Sequence, residues 1–391
     1  MAITTSDHET SEVYLLSAAA ITDAPQLMQP RTTYTSPLLP SLLSSLPSPL
    51  TSGVLVSLDH SGSQFYILSN TDGATNFQIF CTPQEHISKQ HWHLLVPHDP
   101  NVYIEAIHVT SAYLVQFEKV DALNRITVHD LQSHASFCID FSEEVYCLYP
   151  ASLSSYFYFN SNIIRFSYQS PTTPTSIYDY TIPTKERVCV KVQEIPSGHN
   201  PADYRVFRLN APAPDGQLVP IFVLHHSSTT PNSSTPLYVY GYGSYGCSSD
   251  PTFSVADLSL VDRGWITAVA CVRGGSDKGR EWFLNGRLFS KKNSFTDFIA
   301  ATEHLHSRNF GSKATTITHG ASAGGLLVAG VATMRPDLQA ACVMQVPFVD
   351  VLNTMSDDSL PLTPMVICDV CRVCRLTCDA LCRSGLNGET R

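Results

Sequence analysis

No run of apolar residues in the 391-residue sequence is long enough to cross a bilayer, so no membrane-spanning helix is expected. The first residues, MAITTSDHETSEVYLLSAAAITD, lack a basic stretch, and YLLSAAAI is short and flanked by acids, so no secretory signal is read there. That favours the cytoplasm, where its 12 cysteines would be expected to stay reduced. Basic runs and basic helical faces are missing too; Lys and Arg number 24 against 34 Asp and Glu, a net charge of -10, which argues against nucleic acid as a partner. The acidic excess suits a cationic substrate and equally aids solubility. No histidine follows His319, and no aromatic residue occurs from Pro364 onward. Any chemistry that needs an imidazole C-terminal to residue 319 is therefore excluded within these residues.

What is present falls into three textures. Up to about residue 199 the pattern is all-β. Short aromatic and β-branched runs recur, as VYLL (13–16), FYIL (65–68), YLVQF (113–117) and YFYF (156–159). The last three recur with a period of roughly 40 to 50 residues, each followed by a polar turn and a second strand, which suits propeller blades and equally an irregular β-sandwich. At that period the segment holds at most roughly four blades, a partial propeller. A Ser/Pro/Leu-rich stretch at 35–52 reads as an insertion. From 200 to 363 strands alternate with helices. YRVFRLN, VPIFVLHH, PLYVYGY, WITAVACV, TTITH and AACVMQV read as strands, and a helix is expected from Ser322 to just before Pro336. That order predicts a parallel α/β sheet.

The stretch THGASAGGLL (318–327) contains Gly320-Ala321-Ser322-Ala323-Gly324, which fits G-x-S-x-G. A sharp strand-to-helix turn leaves its serine in a strained conformation, requires small neighbours, and sets the hydroxyl at a helix N-terminus. Ser322 is thus the candidate nucleophile; the plainer reading is a small-residue turn where a helix packs on a sheet. GYGSYG (241–246) matches the dinucleotide fingerprint G-x-G-x-x-G, but CSSDPTF rather than a helix follows, so no nucleotide cofactor is expected.

Asp297, Ala301 and Leu305 at i, i+4 and i+8, then fourteen residues, then Gly320, Ser322, Gly324, Gly325, Leu326 and Leu327, together resemble the serine signature of the prolyl oligopeptidase family. The blocks YVYGYGSYG, LSLVDRGW, VRGG, KKNSFTDFIAATEHL, MRPDL and VPFVDVLNTMSDDSLPLT are similar to its oligopeptidase B branch. The likeness runs from about 9 to 363. It implies a propeller followed by an α/β-hydrolase domain, and a serine peptidase cutting short peptides after Arg or Lys, without cofactor or metal. It also implies that Tyr242 and the N–H of Ala323 form the oxyanion hole, and that Asp250 lies where that branch keeps acids near its substrate site; a loop aspartate at a turn is the alternative.

A hydrolase triad follows the order Ser, acid, His, and only 69 residues follow Ser322. The triad acid and histidine, and the family acids that read a basic side chain, are expected to be missing. His225 and His226 end a strand and His319 lies on the strand before the serine, so none of the three is placed as the base. Asp350, Asp357 and Asp358 match other family positions and are not the triad acid. The tail, 364–391, carries Cys368, Cys371, Cys374, Cys378 and Cys382. The first four have the spacing of an iron–sulfur run, but Asp379 follows where proline is usual, and the segment reads instead as out-of-frame or intron-derived sequence. A chain of this kind is expected to be an inactive fragment, at most a peptide-binding module.

Overall fold

A computed structural model describes residues 2–6, 11–15, 26–29, 33–35, 51–151 and 159–355. The bulk of the Ser/Pro/Leu-rich insertion (36–50), residues 156–158 of YFYF, Asp357, Asp358 and the cysteine-rich tail lie outside the described residues.

Strands β1 (Ala2–Ser6), β2 (Ser11–Leu15) and β3 (Gln26–Gln29) form one antiparallel sheet, and β4 (Thr33–Thr35) pairs with β5 (Thr51–Gly53). Three four-stranded sheets follow, each with its strands in sequence order. The first holds β6 (Val56–Ser61), β7 (Gln64–Ser69), β8 (Gln78–Pro83) and β9 (His93–Val96). The second holds β10 (Val102–Val109), β11 (Tyr113–Val120), β12 (Leu123–Asp130) and β13 (Ser136–Cys138). The third holds β14 (Cys147–Pro150), β15 (Ile163–Gln169), β16 (Ser176–Thr181) and β17 (Glu186–Val192). Their first strands begin at Val56, Val102 and Cys147, the period expected of blades. The period-2 pattern acts as it should: in β12, Asn124, Ile126 and Val128 are buried while Arg125 and Thr127 are only partly so.

The α/β part is one six-stranded sheet of order β18-β19-β21-β20-β22-β23. Its strands are β18 (Tyr204–Pro212), β19 (Leu218–His226), β20 (Leu237–Gly241), β21 (Ile266–Ala270), β22 (Thr316–Ala321) and β23 (Ala341–Gln345). Helices α1 (Val255–Val261), α2 (Arg280–Leu284), α3 (Lys292–Ser307), α4 (Ala323–Met334) and α5 (Val351–Met355) complete it. The sheet is parallel where helices intervene and antiparallel at one end. β18 and β19 are an antiparallel hairpin, and β19 pairs antiparallel with β21. Ala213 N–H bonds Gln217 O at 2.8 Å and Gly216 has φ +84°, a tight turn that leaves no room for the crossover a parallel pair needs. β21, β20, β22 and β23 are parallel, with crossovers through α1, α3 and α4.

The core lies between this sheet and its helices. Asp297, Ala301 and Leu305 are fully buried on one face of α3, as their spacing predicts, and Leu305, Phe298 and Ala301 pack with Leu237, Val239, Leu327 and Val331. Strand order reverses around β20, and ligands of such sheets sit at the carboxyl ends of the strands where that happens. Tyr242 follows β20 and Ser322 follows its neighbour β22. By contacts the chain divides into two compact units, one of Met1–Glu118, Ile126–Ile139 and Leu153–Asn162, the other of Lys119–Arg125, Asp140–Ser152 and Ile163–Arg391. All four strands of the third blade sheet fall within the second unit. No helix among the described residues is long and apolar enough to cross a membrane.

Candidate active site

Ser322 sits between β22 and α4 with φ 54° and ψ −117°. A non-glycine residue in that region costs on the order of 1–3 kcal/mol, and the surroundings over-determine it. Ser322 N–H donates to Gln345 O at 2.9 Å, and Ser322 O accepts from Phe348 N–H at 3.0 Å and Gly325 N–H at 2.9 Å. A Cβ on Gly320 would stand 2.0 Å from Gly324 O, so the turn admits only glycine there. Ser322 is exposed while Ala323 is buried, which presents the hydroxyl at the first turn of α4. The amide of Ala323, at the first helical position, has no carbonyl four residues back within the helix to bond.

Tyr242 is brought to the same place. A Cβ on Gly324 would meet Gly241 O at 2.7 Å and Tyr242 Cα and Cδ2 at 3.3 Å, so glycine at 324 lets Tyr242 lie against the start of α4. Burial, and then Cys247, push the Tyr242 phenol up to about 12, so it stays a neutral donor at ordinary pH. Ser322, Ala323 and Tyr242 therefore share one corner, at the carboxyl ends of β20 and β22.

Three histidines near the ends of these strands have partners of their own. The Tyr238 hydroxyl and His319 Nδ1 form a hydrogen bond, and the His319 ring tilts against Tyr240 on the neighbouring strand. His225 Nδ1 bonds His226 O at 2.9 Å, and His226 Nδ1 bonds Ser228 Oγ at 2.6 Å, both at the end of β19. Asp350 Oδ2 accepts from Asn353 Nδ2 at 3.1 Å.

Asp250 has an internal role. Lys119 Nζ is 3.1 Å from its Oδ1, and the Tyr149 hydroxyl donates to its Oδ2 at 2.8 Å. With Lys119 almost fully buried, this is a hydrogen-bonded ion pair at a loop. The partners stand 131 and 101 residues away in sequence, a separation that leaves no local signal.

Beside it, Asp277 is 2% exposed and accepts from Ser249 N–H at 2.7 Å. Burial pushes its carboxyl from 3.8 up to about 6, so folding favours the protonated form. Its contribution is fully present below 3.8 and lost as pH rises through about 6, a change of about 3 kcal/mol. Asp277→Asn removes that dependence. Urea unfolding of wild type and variant from pH 4 to 8 is expected to show wild type losing ground above pH 4; parallel curves would refute it.

Fold and corner together define an α/β-hydrolase with a serine elbow, preceded by blade-like sheets. Residues 4–193 match the N-terminal β-propeller domain of prolyl oligopeptidases, and 251–369 match the prolyl oligopeptidase family of peptidases. The second match passes Thr363 and takes in Cys368, so the family region extends somewhat beyond the expected end. The chain belongs to the prolyl oligopeptidase family. It is 36% identical over 306 residues to dipeptidyl aminopeptidase BI of Pseudoxanthomonas mexicana (78% of this chain, 42% of the relative). It is 34% identical over 314 residues to protease 2 of Moraxella lacunata (80% and 44%). The structure of oligopeptidase B from Leishmania major superposes with a TM-score of 0.81 at 34% identity, covering 93% of this chain and 49% of that one. Oligopeptidase B from Trypanosoma brucei, closed with covalently bound antipain, gives 0.82 at 34% identity, with the same coverage. The chain thus spans less than half the length of these relatives.

Proposed function

We propose that these residues carry the nucleophile and oxyanion half of a serine oligopeptidase site that takes short peptides after Arg or Lys, in the cytoplasm. Ser322 is the nucleophile; the Tyr242 hydroxyl and the Ala323 N–H receive the oxyanion. The observation that carries the reading is the meeting of Tyr242 with the first turn of α4 across Gly324. No base is assigned: His225, His226 and His319 engage His226 O, Ser228 Oγ and the Tyr238 hydroxyl through Nδ1. On its own the chain therefore binds and orients a peptide carbonyl, and turnover is feeble. The preference for a basic residue rests on the likeness to oligopeptidase B.

A peptide aldehyde tests this without needing a base for turnover. The Ser322 O–H adds reversibly across the aldehyde C=O, giving a hemiacetal whose oxygen enters the oxyanion hole. By calorimetry, an arginine-ending tripeptide aldehyde is expected to bind the wild-type chain about a hundredfold more tightly than Ser322→Ala. Equal affinities for the two proteins would sink the reading, and equal affinities for aldehydes ending in arginine and glutamate would sink the proposed specificity.

A further inference from the structure

Lys291 is 9% exposed and stands immediately before α3. Its ammonium donates to Gly243 O, to Ser244 Oγ at 2.8 Å and to Ser294 Oγ at 3.3 Å. Two of those acceptors belong to the two residues that follow Tyr242. The third, Ser294, is fully buried and donates to Arg273 O at 2.6 Å, with Gly286 O and Gly243 O at 3.2 and 3.4 Å. The carbonyl of Gly243 is confined on the far side as well, because a Cβ on Gly274 would stand 2.0 Å from it. Gly243 itself has φ +65°, with Val272 Cγ2 2.5 Å from where its Cβ would be. Tyr242 is thus held from two directions, by the start of α4 across Gly324 and by Lys291 through the next peptide.

We propose that Lys291 is a positioning residue of this site, which fixes the Tyr242–Gly243 peptide and thereby aims the Tyr242 hydroxyl at the oxyanion. A buried ammonium is costly to hold, and its three donors here fall on oxygens of one short loop and its support. An ammonium-to-carbonyl hydrogen bond is stronger than a neutral one. The loop 242–246 carries two positive-φ glycines, Gly243 and Gly246, so it is permissive in backbone and needs an external tie to keep one geometry. Misplacing a hydrogen-bond donor by about 1 Å costs on the order of a hundredfold where geometry governs the reaction.

This assignment rests on the proposed oxyanion role of Tyr242, and the experiment separates the two. Aldehyde affinity is measured for wild type, Lys291→Met and Lys291→Arg, each with Ser322 intact and with Ser322→Ala. Lys291→Met is expected to reduce the Ser322-dependent increment by about tenfold to a hundredfold, with a smaller loss of affinity in the Ser322→Ala background. Lys291→Arg, which keeps the charge and the donors, is expected to restore part of it. Equal loss in both backgrounds, or no loss, overturns the assignment, since a role in folding alone acts on both. Hydrogen exchange of the peptide covering 241–247 is followed in the same proteins. Lys291→Met is expected to lose protection there and Lys291→Arg to keep it; unchanged protection in Lys291→Met also overturns the assignment. Should wild type show no Ser322-dependent increment, the peptidase reading fails, and with it the positioning role, while the exchange result still reports whether Lys291 ties the loop.

Discussion

Asp297→Ala is expected to cost about 3–5 kcal/mol of folding stability, far more than removal of any surface ion pair in this chain. Asp297 is fully buried and accepts three hydrogen bonds from Arg273: Nε at 2.8 Å, Nη2 at 2.6 Å and the backbone N–H at 3.0 Å. Burial raises the Asp297 carboxyl, and the hydrogen bonds and charge of Arg273 oppose that rise. Deleting the carboxylate leaves a guanidinium that is 4% exposed with one remaining carboxylate, Asp215, whose side chain is 46% exposed. A buried, half-paired charge is the costly outcome; the pair itself adds little over an apolar replacement. Asp215→Ala removes only the exposed partner and is expected to cost about 1 kcal/mol or less. Urea unfolding of the two variants beside wild type checks this, and similar losses would contradict the burial argument. The damage reaches the site, because Arg273 also supplies the carbonyl that anchors Ser294, and Ser294 supports Gly243 beneath the Tyr242 loop.

Much of this fold was legible because its signals are local. β22 and α4 announce themselves through a β-branched run, a cluster of small residues and an apolar run stopped before Pro336. The face of α3 is written in the spacing of Asp297, Ala301 and Leu305. The antiparallel hairpin of β18 and β19 has its own local signal in the turn Pro214-Asp215-Gly216, whereas strand-helix alternation speaks only for the strands after it. Lys291 lay within the recognised KKNSF block, yet no spacing rule links a lysine before a helix to a carbonyl 48 residues earlier. The Lys119–Asp250–Tyr149 cluster was out of reach for the same reason: long-range polar pairs depend on how strands are stacked. The contacts of Asp250 with Lys119 and Tyr149 carry no local signal in the sequence.

The central proposal is that Ser322 stands ready in geometry and lacks a base among the described residues. Loss of the histidine of a triad costs on the order of a millionfold in turnover, whereas the elbow and the oxyanion donors survive it. The decisive measurement is labelling of the purified, folded 391-residue chain with a fluorophosphonate, beside Ser322→Ala, with the modified residue located by mass spectrometry. Phosphonylation breaks the P–F bond and forms an O–P bond, and the serine proton must pass to a base as fluoride leaves. The account predicts no labelling at Ser322 above the level of the Ser322→Ala control. Rapid labelling at Ser322 that vanishes in the control would contradict it, and would mean that a base is already in place.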